Sequence, residues 1–293
     1  FWLKARAFAA PPTQSRRSLG ARRRVPCTAI PGICSRRRPA PASAGAGPRQ
    51  LLQMHGRGEE AVQIPVDGSC VNAMVHVQES PVVVIALHPW GPLGGSMDDP
   101  HPTTVCRTLG KAGCSTVRFN FRSGVGSGEA SVADVRGVAA WFVEPHEGSA
   151  PLATQVLVVG YSYGSIIGAA AAADIPQCVG FAVLGPPLDY GWALYVLNAS
   201  SLRARAARSA GRPKLVMAGS ADQFCSERTF SDFAAELPEP KKAIYLQNVD
   251  HFSLFRRLPQ ALTEWVVEAF GVKDIQEFGR SGAPAGVRSP ADT

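Results

Sequence analysis

The chain has 293 residues, 45% of them hydrophobic, which is enough to build a sizeable core in one large domain or two small ones and excludes a disordered or fibrous chain. Its net charge of +7 does not mark a nucleic-acid face: residues 1–58 carry Lys4 and eleven arginines but no acid, and the remainder sets 18 basic against 23 acidic residues, a balance of −5. Seven cysteines, an odd number with no C-x-x-C pair, argue against a disulfide framework or a zinc cluster and for reduced thiols, with no metal expected.

Residues 1–58, rich in Arg, Ala, Pro and Ser, show no apolar periodicity that would bury a face, so they predict a disordered basic leader. An acid-free segment bearing Arg and Ser resembles a transit peptide, which implies a plastid or a mitochondrion. The alternative is an upstream tail with no targeting role, which leaves the chain cytoplasmic. Almost no aromatics are present to stack on bases, so no nucleic-acid partner is expected. The longest apolar runs are of strand length, and no integral membrane segment is predicted.

From residue 59 to 272 strand-like and helix-like segments alternate, predicting an α/β domain whose mostly parallel sheet is covered by helices on both faces. Residues 61–66 and 70–77, separated by Asp67-Gly68, read as an antiparallel hairpin. Residues 81–87 form a continuous β-branched run, a strand buried on both faces, and 103–112 a short helix. Val117, Phe119 and Phe121 alternate with Arg118, Asn120 and Arg122, giving a strand with one polar face. Ser131 with Asp134 has the spacing of a capping box opening the next helix. Strands at 156–159, 178–184, 214–218 and 243–246 and a closing helix at 259–270 complete the pattern. An insertion at about 186–212, with Trp192, Tyr195 and Leu197, predicts a short cap, and 273–293 reads as a flexible tail.

Gly160-Tyr161-Ser162-Tyr163-Gly164 joins an apolar strand to a small-residue helix, the setting of a G-x-S-x-G nucleophile elbow. The Tyr163 amide, at the first turn of that helix, can face a developing oxyanion. A serine hydroxyl needs a base and a group that orients the base. Asp222, just beyond the strand at 214–218, and His251, just beyond the strand at 243–246, supply both in the order Ser162, Asp222, His251. Asp189 is the main rival acid. His55, His76 and His146 follow no late strand. The second oxyanion donor must come from the loop after residue 87, where Pro89 and Pro92 have no amide hydrogen; Trp90 or Gly91 remain, Trp90 by position the better of the two.

These features, with His88-Pro89-Trp90-Gly91-Pro92-Leu93-Gly94-Gly95, Arg118-Phe119-Asn120-Phe121-Arg122, Gly219-x-x-Asp222 and Asp250-His251-Phe252, resemble the small serine α/β-hydrolases over roughly residues 60–270. They look closest to an esterase-like branch found in bacteria and eukaryotes. The resemblance implies an α/β-hydrolase fold with a catalytic Ser162, Asp222 and His251 and hydrolysis of an ester, thioester or related acyl bond of a small-molecule substrate, without a cofactor. A lyase or acyltransferase using the same three residues, or a non-catalytic binding protein on the same fold, are the alternatives. One departure stands out: relatives continue Gly-Val-Gly-x-Ser-x-Gly after the Phe-Arg pair, whereas Ser123-Gly124-Val125-Gly126-Ser127-Gly128 is spaced differently.

Overall fold

The computed structural model describes residues 58–122, 126–146, 149–190 and 199–284. The expected leader up to residue 57, the aromatic stretch Trp192, Tyr195 and Leu197 of the insertion, and the altered spacing at 123–125 lie outside the described residues.

Eight strands form one sheet: β1 (Glu60–Val66), β2 (Ser69–His76), β3 (Val82–Leu87), β4 (Ser115–Phe119), β5 (Gln155–Tyr161), β6 (Cys178–Leu184), β7 (Lys214–Gly219) and β8 (Lys241–Leu246), in the order β1-β2-β4-β3-β5-β6-β7-β8. The β1/β2 and β2/β4 pairs are antiparallel and every other pair is parallel. Asp67 (φ 48°) and Gly68 (φ 73°) both adopt the left-handed conformation that a tight hairpin turn requires between β1 and β2.

Period-two alternation splits each central strand between two cores. Val83, Ile85 and Leu87 of β3 face α2 (Glu129–Val143), α3 (Tyr163–Asp174), α4 (Ala199–Ala206) and α5 (Glu227–Glu236). Val82, Val84 and Ala86 face α1 (Pro100–Lys111), α6 (Leu258–Phe270) and α7 (Ile275–Ser281). A strand buried on both sides has no polar face, which is why it reads as an unbroken apolar run.

Four local expectations are corrected. Helix α1 begins at Pro100, three residues early, because Asp99 caps it and prolines at its first turn lack only amide hydrogens that no helical carbonyl would use. Helix α2 begins at Glu129 behind Gly128, whose φ of 81° sets the entry. Ser131 and Asp134 therefore lie inside the helix, fully buried, where they bond other elements instead of forming a capping box. In β4, which ends at Phe119 short of Asn120 and Arg122, all five residues are buried, and the charge of Arg118 is met at the surface by Glu59 and Asp98. The tail expected to be flexible from residue 273 contains α7, whose Ile275 and Phe278 pack against α6; the Asp274 carboxylate caps it by accepting the Glu277 amide at 2.7 Å. Polar and small residues there conceal two apolar anchors one turn apart.

The described part of the insertion is likewise docked. Leu202 and Ala206 of α4 are buried against the α3 side of the core. Arg205 is ion-paired with Asp174 at the end of α3 and with Glu129, and Arg203 with Glu236 of α5.

Candidate active site

Three strand ends converge on the carboxyl edge of the sheet. Ser162 sits between β5 and α3 with φ 53° and ψ −119°, a conformation costly for a residue with a side chain. The turn is possible because of its glycines: a Cβ on Gly160 would lie 2.1 Å from the Gly164 carbonyl oxygen, and one on Gly164 would lie 2.7 Å from that of His88. The Ser162 amide donates to the Leu184 carbonyl at 2.8 Å and its carbonyl accepts the Ser165 amide at 3.0 Å. With both backbone groups held, the hydroxyl stands clear of the sheet.

His251 follows β8 after a turn through Asn248, whose φ is 58°. Its Nε2 lies 3.1 Å from Ser162 Oγ, and its Nδ1 lies 2.8 Å from Asp222 Oδ2. A carboxylate only accepts, so Nδ1–H donates to Asp222 and the bare Nε2 accepts the serine proton. The Asp222 side chain is shielded from solvent, and its Oδ1 accepts the Phe224 amide at 2.8 Å. The Phe224 ring lies 4.6 Å from the His251 ring, and the exposed Phe252 stands edge-on at 5.4 Å. Asp189, the rival acid, is committed elsewhere. Its two carboxylate oxygens accept the Ser226 amide at 2.6 Å and the Ser226 hydroxyl at 3.2 Å, tying the loop after β6 to the start of α5.

Tyr163 opens α3, where its amide has no carbonyl one turn back to bond. Its own hydroxyl, raised in pKa chiefly by burial, lies 2.7 Å from Ser131 Oγ. Across the site, the Trp90 carbonyl accepts the Leu93 and Gly95 amides, each at 3.1 Å, curling the loop after β3 into a single 3-10 turn over Gly91–Leu93. His88 braces that loop: its Nε2 accepts the Phe121 amide at 3.1 Å while Nδ1–H donates to the Pro89 carbonyl at 2.5 Å. Burial lowers its pKa, which favours this neutral form.

No protein-family model matches the chain, and no curated protein does. Solved structures do. A lidless α/β serine hydrolase from Xanthomonas campestris is 22% identical, with 72% of this chain and 94% of that chain covered and a TM-score of 0.58. An α/β serine hydrolase homologue from Coxiella burnetii is 24% identical over 70% and 96% of the two chains, with a TM-score of 0.57. An esterase from Pyrococcus furiosus is 14% identical over 80% and 98%, with a TM-score of 0.60.

The chain has the α/β-hydrolase fold. On that fold Ser162, Asp222 and His251 lie in hydrogen-bonding contact, with Tyr163 and Trp90 on the flanking elements. His88 as a brace, and His101, are not among the residues expected from the sequence. The position of His88 at the end of a buried strand was the available signal for the first. For the second it was Asp99-x-His101, a helix cap two residues before a histidine. Among the described residues no group of three or more His, Cys, Asp or Glu is arranged to hold a metal ion, and no helix is long and apolar enough to cross a membrane.

Proposed function

We propose that the chain is a serine-dependent hydrolase of carboxylic esters, thioesters or related acyl bonds. The hydrogen-bonded series from Ser162 through His251 to Asp222, at 3.1 and 2.8 Å, carries this reading. Its support is geometric: nucleophile, base and orienting acid in bonding contact, with the serine held in an elbow. The serine hydrolases and esterases among the similar solved structures support the same class.

In the reaction, Ser162 Oγ attacks the acyl carbon as its proton passes to His251 Nε2. Asp222 holds the ring and stabilises the imidazolium. The tetrahedral oxygen carries the charge, and the Tyr163 and Trp90 amides are its donors. Collapse breaks the bond to the leaving alcohol or thiol, which takes the proton from Nε2. Water then gives its proton to His251, attacks the acyl-enzyme and releases the acid, and Ser162 recovers its hydrogen. No cofactor takes part.

A fluorophosphonate probe tests this together with p-nitrophenyl esters and acyl thioesters of graded chain length. Wild-type protein is expected to label at Ser162, and Ser162→Ala and His251→Ala are expected to lose labelling and fall to residual turnover. Wild-type protein that takes up no probe, or a Ser162→Ala variant that takes up as much, sinks the hydrolase reading and leaves a binding role on this fold.

A further inference from the structure

A second histidine–carboxylate pair stands behind His251, unused by the proposed reaction. Asp99 Oδ1 accepts both the His101 amide at 2.9 Å and its Nδ1–H at 2.8 Å. The His101 ring lies flat against Tyr161, centroids 3.4 Å apart and planes within 8°, and Phe255 meets its edge at 5.6 Å. Both stacked rings are buried. The Tyr161 hydroxyl then donates to the backbone carbonyl of His251 at 3.0 Å.

Packing does not explain this imidazole. Its buried Nε2 has no hydrogen bond of good geometry among the described residues, a penalty that a phenyl ring in the same slot would not carry. Its chemistry is used in the bond to Asp99, which fixes the plane of the ring against Tyr161, and the backbone of His251 also lies close enough to act on the ring. Burial raises the Tyr161 pKa, with Asp99, Asp222 and Asp250 acting in the same direction, so its hydroxyl keeps the proton it donates.

The bond made by Tyr161 joins two parts of the candidate site. Tyr161 is the residue before Ser162 on β5, and the carbonyl it holds belongs to His251 itself. Other bonds hold the approach to His251: the Val249 carbonyl accepts the Ala221 amide at 3.0 Å, and the Asn248 amide donates to Ser220 Oγ at 2.9 Å. These tie the loop after β8 to the Asp222 loop. Tyr161 ties it to the nucleophile's strand.

We propose that Asp99, His101 and Tyr161 form a positioning relay. The cap of α1 fixes the His101 ring, that ring fixes Tyr161, and the tyrosine hydroxyl sets the distance between His251 and Ser162. The inference rests on the reading of His251 as the base. The three residues touch no reacting atom and act through His251 alone.

Tyr161→Phe is the test, because it keeps the ring and its stack and removes only the hydroxyl. Fluorophosphonate labelling and kcat are expected to fall on the order of tenfold with KM nearly unchanged, since a small misplacement of a reacting group costs rate and not binding. Introduced into His251→Ala, the same change should leave residual turnover unaltered, there being no base left to place. His101→Ala should repeat the loss, and His101→Phe, which restores a stacking face, should recover part of it. Tyr161→Phe protein that labels as fast as wild type overturns the relay alone. So does a Tyr161→Phe effect of equal size in the His251→Ala background, which marks a structural role. A wild-type protein that takes up no probe removes the base and the relay together.

Discussion

Asp222 and Asp189 both follow strands at the carboxyl edge of the sheet, and at the level of single residues their partners separate them. Asp222 spends one oxygen on His251 and the other on the Phe224 amide, shielded from solvent, while Asp189 is exposed and spends both on Ser226. Asp222→Asn is accordingly expected to lower kcat by about 10⁴-fold with little change in unfolding midpoint, because an amide leaves the wrong ring nitrogen protonated. Asp189→Asn should change kcat far less and cost some stability at the start of α5. Steady-state kinetics and thermal unfolding of the two variants check both, and the reverse ranking would move the acid to the loop after β6.

Within the elements, some sequence signals were local and others depended on distant partners. The continuous β-branched runs of β3 and β5 and the glycine spacing around Ser162 state their own environment, so strand, turn and helix were legible. Ser131 and Asp134 were not, because a polar residue near a helix start reads as a cap unless its partner is known. Those partners, Tyr163 for Ser131 and Arg122 for Asp134, are 32 and 12 residues away in the chain. His101 is hidden in the same way, its stacking partner lying on β5.

Lys214, first residue of β7, is an element-scale case with a thermodynamic signature. It enters the sheet fully buried, donates to the Arg212 carbonyl at 2.7 Å, and its pKa is lowered from 10.5 to about 8, mainly by burial. Between these two values the unfolded chain binds more protons than the folded one, so this residue makes stability rise with pH across the window and weighs against folding below it. Lys214→Met is expected to flatten that slope and to raise the unfolding midpoint at pH 7 more than at pH 10. Thermal unfolding of the two proteins at the two pH values reads the difference directly. Equal shifts at both would show that the ammonium is not desolvated in the folded chain.

Over the whole molecule, the two cores on opposite faces of one sheet were legible because their strands and helices alternate along the chain. What sequence could not supply was how the edges close. The sheet's first strand is preceded by Glu59, whose carboxylate oxygens accept Arg118 Nε at 3.2 Å and Nη2 at 2.9 Å. The same guanidinium donates to the Met97 carbonyl at 3.0 Å and to Asp98, in the segment that leads from the Trp90 loop into α1. A chain beginning at Gly58 is expected to match the full chain in unfolding midpoint and esterase turnover. One beginning at Glu60 should lose on the order of 1 kcal/mol, the scale of a partly exposed charged pair, as thermal unfolding would measure.

That shared guanidinium sets a limit on how the chain can be trimmed. A chain shortened by one residue past Glu59 loses a carboxylate that Arg118 holds in common with the approach to α1. Since Asp99 caps that helix and orients His101, the damage from losing Glu59 would travel inward. Chains beginning at Gly58 and at Glu60 are therefore expected to look alike in overall fold and to differ in turnover, as steady-state kinetics of the two would read.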